Sequence, residues 1–274
     1  MACDLPPQND ARLWTPPGHP GFRFFKARFT SFVFDRHTHE EFALGVIEEG
    51  GQCFVHKGTR HEAPPLSIIS VNPDEVHDGQ AATREGYAYR MLYVEVSTLE
   101  ALFDGAFRSR DLHAFRHPVT VDAPLARRLD LALRMVDPRP ERIDDLLLPV
   151  LHDLFSRHAF PRLVAPCTTR HDVAVRQTRE YLRAHALDNP SLDTLAREAG
   201  LSKFHLLRVF KEATGLTPHA WLLRHRVLLG RRALEAGHSP AEAAALAGFA
   251  DQSHFTRRFK AIHGLTPGAF AAMR

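Results

Sequence analysis

Cysteine is scarce, and the three present, Cys3, Cys53 and Cys167, have neither metal-binding nor redox spacing. Their odd number argues against a disulfide framework and fits a reducing, cytoplasmic compartment. Long apolar runs are missing too. No stretch approaches the roughly 20 residues that cross a bilayer. Met1 to Asp10 is polar, without the apolar centre of a secretory signal, so no membrane association is expected. Absent as well are the residue orders that announce catalysis, such as a Ser-His-Asp series, a phosphate loop or paired carboxylates. No catalytic residue and no cofactor is assigned, and the chain reads as a non-enzyme.

Acidic residues thin out toward the C-terminus. From His171 to Arg274 there are 15 Lys+Arg against 9 Asp+Glu, whereas the preceding residues hold 20 against 23. The overall +3 therefore hides a C-terminal balance of +6, the footprint of a polyanion binder. That basic end also contains a repeat. Ala199-Gly200-Leu201-Ser202 leads into Arg208-Val209-Phe210-Lys211 and closes with Gly215-Leu216-Thr217-Pro218. Ala247-Gly248-Phe249-Ala250 leads into Arg257-Arg258-Phe259-Lys260 and closes with Gly264-Leu265-Thr266-Pro267, with one extra residue in its turn. Two copies are too few for a solenoid and indicate a duplicated module.

Each copy reads as helix, glycine turn, helix, which is the helix-turn-helix signature. Ser191 and Ser239 are placed to cap the first helices, with Pro240 at a first helical position. Ser202 caps the second helix of copy one, and Asp251 or Ser253 that of copy two. Leu206, Val209 and Phe210, then Phe255 and Phe259, supply the buried stripes. The polar faces left over carry Lys203, His205, Leu207 and Arg208, and Gln252, Ser253, Thr256 and Arg257. Arg suits guanine, Gln suits adenine, Ser and Thr bond base edges, and an exposed Leu suits a thymine methyl. Lys211, Arg258 and Lys260 would meet phosphates and set register. Solvated faces of an ordinary helical domain are the alternative, but the same face occurring twice favours binding of double-stranded DNA.

The last hundred residues resemble the AraC/XylS-type transcription regulators. The run Gly-Phe-x-Asp-x-Ser-x-Phe-x-Arg-x-Phe-Lys, from Gly248 to Lys260, carries the resemblance most specifically. The resemblance implies two helix-turn-helix units joined by a long helix, here Pro218 to Ala236 and ended by Gly237. It implies Phe204, Leu207 and Arg208, then Gln252, Ser253, Thr256 and Arg257, as base readers. Leu207 departs from members with a polar residue there.

Before this domain, residues 1–20 hold five of the chain's 19 prolines and read as a flexible arm. From Phe22 to Val96 at least six short strands alternate with turn signals such as Gly50-Gly51 and Lys57-Gly58, the pattern of a sandwich or small barrel. This run resembles the cupin-like sensory domain of many members of the same family. His37, His39, Glu41, His56, His61 and His77 are polar residues that could line its interior. His37, His39, Glu41 and His77 are taken as candidate effector-pocket residues. No metal is assigned, because Ala43 and Leu44 stand where a cupin glutamate is usual, but His37, His39 and His77 are the set that would hold one. Two amphipathic helices follow a short one capped by Ser97 or Thr98: Ala123 to Val136, capped by Asp122, and Arg142 to His158. The second carries an apolar stripe wider than one partner needs. The resemblance implies a homodimer through residues 122–158; packing on the barrel is the alternative.

The expected architecture is α+β in two domains. Residues 21–160 form a cupin-like β-barrel (about 22–96) with a helical hairpin, residues 161–170 a linker, and residues 171–274 an all-α domain with two helix-turn-helix units joined by a long helix. The expected function is a regulator answering a small-molecule effector. The resemblance favours an activator at promoters, with RNA polymerase as a partner. The rivals are a metal-dependent cupin enzyme fused to a DNA-binding module, and a constitutive regulator whose barrel is purely structural.

Overall fold

A computed structural model describes residues 9–103, 113–161 and 170–273. The chain divides into two compact units, Met1–Val164 and Ala165–Arg274.

The first unit begins with strands β1 (Asn9–Trp14), β2 (Phe22–Phe29), β3 (Phe34–His37), β4 (Phe42–Gly50), β5 (Gln52–His56), β6 (Thr59–Ala63), β7 (Ile68–Val71), β8 (His77–Ala81) and β9 (Tyr87–Val94). Helix α1 (Val96–Leu102), β10 (His113–Phe115), β11 (Val119–Thr120), α2 (Ala123–Val136), α3 (Leu148–His158) and β12 (Ala159–Pro161) complete it. Antiparallel pairing builds a six-stranded sheet in the order β1-β2-β9-β4-β7-β11 and a four-stranded sheet in the order β3-β8-β5-β6. Residue parity sorts the larger sheet's two faces. Phe42, Leu44 and Val46 of β4, Ile68 of β7, and Leu92 and Val94 of β9 join one apolar core with Leu125, Leu129 and Leu133 of α2 and Leu151, Leu154 and Phe155 of α3. The alternate residues face the other way, among them Ala43, Ile69, Val71, Tyr89, Met91 and Tyr93.

Three expectations need correction here, and the packing of the wide apolar stripe follows the alternative reading. Asn9 to Trp14 is a sheet edge and not part of a flexible arm. It pairs with β2 from Asn9 opposite Phe29 to Trp14 opposite Phe24, with Leu13 buried and Trp14 stacked on Phe24 at 5.6 Å. The prolines lie outside this strand, Pro16, Pro17 and Pro20 in the turn after it. Helix α1 starts at Val96 from Glu95, without a side-chain cap, rather than from Ser97 or Thr98. The second hairpin helix opens through a 3-10 turn (Pro140–Arg142) and a π turn (Ile143–Leu147) before α3 begins, while Asp122 caps α2 by accepting from Leu125 N at 3.1 Å. The wide apolar stripe of that segment, Ile143, Leu147, Val150, Leu151, Leu154 and Phe155, is buried within the unit. Both the β-sheet and α2 cover it, so its width is accounted for without a second chain. Residues 162–169 of the expected linker lie outside the described residues.

The second unit comprises α4 (Arg170–Ala184), α5 (Leu192–Glu198), α6 (Lys203–Thr214), α7 (Pro218–Glu235), α8 (Pro240–Leu246), α9 (Gln252–His263) and α10 (Pro267–Ala272). Local chemistry dictates each boundary. Ser191, Ser202, Thr217, Ser239, Asp251 and Thr266 all accept from a backbone N–H of the first turn. Ser239 and Glu242 form a reciprocal capping box. Gly200 and Gly248 make the two inter-helix turns at φ +62° and +76°, where a side chain would be strained. Gly215 and Gly264 end α6 and α9 in the left-handed region. Helix α7 packs against α4, α6, α8, α9 and α10, so both modules share one core. Gly230 permits this: a Cβ there would lie 2.4 Å from Phe255 of α9.

Candidate nucleic-acid interface and ligand pocket

In each module the second helix buries one stripe and presents the other. Helix α6 buries Leu206, Val209 and Phe210; α9 buries Phe255, Phe259 and Ile262. Lys203, Phe204, Arg208 and Lys211 are exposed on α6, with Leu207 half-buried. Gln252, Ser253, Arg257, Arg258 and Lys260 are exposed on α9, with Thr256 half-buried. Aligning Arg208 with Arg257 makes these faces equivalent position by position: Lys203 with Gln252, Phe204 with Ser253, Leu207 with Thr256, Lys211 with Lys260. His205 does not belong to the outward face. It is half-buried, its ring 4.8 Å from that of His171 at the start of α4.

Two features of the α6 face bear on binding. Phe204 is 86% exposed, by far the most exposed large apolar side chain of this unit. Leaving an aromatic ring in water forgoes about 1.5–3 kcal/mol of burial, which a partner covering it would recover. Lys203 pairs with Asp193 at 2.9 Å and Arg208 with Glu212 at 3.4 Å. Such exposed pairs are worth at most about 1 kcal/mol, so both cations can be redirected to a polyanion at little cost.

The first unit holds a pocket of about 40 Å³, partly open to solvent, lined from both sheets. Its floor is aromatic and apolar, with Phe34, Phe54, Tyr89, Met91 and Tyr93, and its polar groups include His37, His39, His77 and Gln52. The three imidazoles meet closely, with centroid separations of 4.4 Å for His37 and His77, 4.8 Å for His37 and His39, and 5.1 Å for His39 and His77. Strand β3 ends at His37, so His39 reaches the cluster from the following loop and not from one strand face. A turn at Asn72 to Glu75 positions His77. Asn72 spans the loop through Phe115 N and O at 2.8 and 2.9 Å, and Asp74 N donates to His39 O at 2.7 Å. Burial, against the pull of a bond to Glu75 O, lowers His77 to about 4, so this imidazole is neutral at pH 7.

Other predicted polar residues have different work. Glu41 is buried in an ion pair with Arg23 and does not line the pocket. His56 bonds Glu75 at 2.8 Å, and His61 stacks on Phe54 at 5.6 Å. Burial raises Glu75, but its bonds with His56, Lys57 and Asn72 outweigh that and hold it at about 2. Sequence reasoning missed Gln52, Tyr89, Met91 and Tyr93. The period-2 spacing of Tyr89, Met91 and Tyr93 was the available signal, but assigning that face to the pocket needs the sheet register.

Two-sheet sensor-like unit and double helix-turn-helix unit together define the class: a DNA-binding transcription regulator with a ligand-binding domain. Residues 19–152 match the AraC-like ligand binding domain and residues 195–273 a helix-turn-helix domain. The chain is 26% identical over 249 residues to the HTH-type transcriptional regulator YbfI of Bacillus subtilis, covering 90% of each chain. It is 22% identical over 258 residues to the HTH-type transcriptional activator RhaS of Yersinia pseudotuberculosis, covering 88% of this chain and 90% of that one. The fold is shared with ToxT of Vibrio cholerae with unsaturated fatty acid bound, at TM-score 0.58 and 13% identity, covering 99% of this chain and 97% of that one. The chain belongs to the AraC/XylS-type regulators. Among the described residues no helix is long and apolar enough to cross a membrane.

Proposed function

We propose that this protein is an activator that reads DNA with α6 and α9 and answers a small molecule held in the pocket of its first unit. The observation that carries the reading is the equivalence of the two outward faces: a duplicated scaffold keeps the same positions exposed and fills them with base-reading chemistry in both copies. Arg208 and Arg257 supply bidentate donors, Gln252 a donor and an acceptor side by side, Ser253 and Thr256 hydroxyls, and Phe204 and Leu207 apolar contacts for thymine methyls. Lys203, Lys211, Arg258 and Lys260 flank them for phosphates. The helices enter successive major-groove segments about one turn, roughly 34 Å, apart, so one chain reads both without two-fold symmetry. Where two chains pair through residues 122–158, Leu131 and Met135 of α2 offer exposed apolar surface.

An effector in the pocket changes transcription only to the extent that it binds one arrangement of the protein better than another. Aromatic walls with a few convergent polar groups suit a small, partly apolar ligand. Fluorescence anisotropy of the full chain on DNA from upstream of its own gene, against random DNA at several salt concentrations, tests the reading. Specific binding should exceed random by about 10³-fold or more. Equal affinity for both DNAs would refute it.

A further inference from the structure

Where the two sheets face each other, the three imidazoles do more than line a wall: we propose that His37, His39 and His77 hold one divalent late transition-metal ion, with a remaining coordination position open to the pocket. The inference deepens the effector-pocket reading and rests on it for its regulatory meaning. All three residues are buried, and one ligand nitrogen from each lies within 4.8 Å of the others. Zinc-like ions sit about 2.0–2.1 Å from imidazole nitrogen, which places ligand atoms of a tetrahedral site roughly 3.3 Å apart. Side-chain rotations of little more than about an ångström close that gap.

The rings are oriented for this. His37 Nδ1 lies 2.6 Å from Asp35 O, and His77 Nδ1 lies 3.0 Å from Glu75 O. A carbonyl only accepts, so each Nδ1 carries the proton and each Nε2 the lone pair. Tying the outer nitrogen to a carbonyl is how proteins fix the tautomer and aim of a metal-ligating histidine. His39 is tethered to the same turn through its own carbonyl, which accepts from Asp74 N. An all-imidazole set favours zinc, copper, nickel or iron over calcium or magnesium, which need oxygen ligands. Glu41, the nearest candidate carboxylate in sequence, is engaged by Arg23. Asp78, which also lines the pocket, is held by Val55 N at 2.6 Å and faces Arg36, and a chelating small molecule, or hydroxide, would complete the coordination from the side of Met91 and Tyr93.

The test uses the full chain freed of metal with a chelator and titrated with Co²⁺, followed by visible absorption and by metal content after dialysis. We expect one Co²⁺ per chain, displaced by Zn²⁺. His39→Gln and His77→Gln should each weaken uptake by roughly tenfold or more, since loss of a supporting contact alone costs about 10–100-fold. His61→Gln, outside the cluster, should leave it unchanged, and urea midpoints of all variants establish that they fold. No saturable uptake, or uptake undiminished in folded His39→Gln and His77→Gln, overturns the site. DNA affinity with and without Zn²⁺ is read separately. Metal bound without change in DNA affinity supports the site and removes the effector reading; an organic effector acting on a chain that takes up no metal does the reverse.

Discussion

Gly230→Ala is expected to destabilise the second unit even though alanine is the better helix former. A methyl at this mid-helix position gains about 1 kcal/mol in helix propensity. In place, however, the added Cβ lies 2.4 and 2.6 Å from two ring carbons of Phe255, against an optimal carbon–carbon separation of about 3.5–4.0 Å. Phe255 has no room to retreat. It is fully buried, with Phe249 at 5.2 Å and Phe259 at 5.4 Å. Overpacking costs about 1–3 kcal/mol, and so close a clash belongs in the upper part of that range, about 2–3 kcal/mol, so a net loss of about 1–2 kcal/mol remains after the propensity gain. Urea unfolding reported by Trp221 in a Trp14→Phe background measures it. With a slope of about 2 kcal/mol per molar, the middle of the usual range, the midpoint should fall by roughly 0.5–1 M. Adding Phe255→Leu shortens the opposing ring, and in that background Gly230→Ala should cost little or stabilise. An equal cost in both backgrounds, or a raised midpoint for Gly230→Ala alone, would refute the packing argument.

Arg257→Ala should weaken specific DNA binding by about 1–3 kcal/mol and relax preference at one base pair; equal losses on specific and random DNA would remove Arg257 from the readers. Lys260→Ala should weaken binding to all sequences alike and lower the salt-dependence slope by about one, measured by anisotropy across salt. Phe204→Ala, at an exposed site, should leave the unfolding free energy within about 0.5 kcal/mol of the parent while reducing specific affinity, as titration of both proteins on one duplex would reveal. Burial, then the nearby Arg183, Arg224 and Arg232, lower His225 to about 4 from 6.5. Because the folded state binds this proton less readily, its stabilisation is complete above about pH 6.5 and is lost as pH falls toward 4. His225→Gln should flatten that part of the urea-midpoint profile.

The second unit was legible because its determinants are local. Every cap, turn glycine and buried stripe lies within a few residues of what it controls, and duplication presented the pattern twice. What escaped was long-range. Arg224, Arg226 and Arg231 are buried in α7, where residue type argues for exposure; Arg226 is retained by donating to Ala186 O at 2.6 Å. Strand β1 is polar except at Ala11, Leu13 and Trp14 and pairs along its length with the edge that β2 offers. In the pocket, His37 and His39 were nameable from their spacing, and His77 from the cupin resemblance. Glu41 was misassigned because its partner Arg23 precedes it by 18 residues, on strand β2. Tyr89, Met91 and Tyr93 gained their inward face from pairing with both β2 and β4, which no local window contains.

The long helix α7 has 18 residues and is clamped between Thr217, which caps it, and the turn leading to Ser239. At 1.5 Å and one 3.6th of a turn per residue it is a rod of about 27 Å. A single inserted residue would lengthen it by only about 1.5 Å but swing everything beyond it by roughly 100°. The second recognition face would then point away from the first while remaining perfectly helical. On the proposed reading, helix length acts as a ruler and a clock hand together, and a deletion or insertion here would abolish two-segment recognition through lost phase rather than through melting.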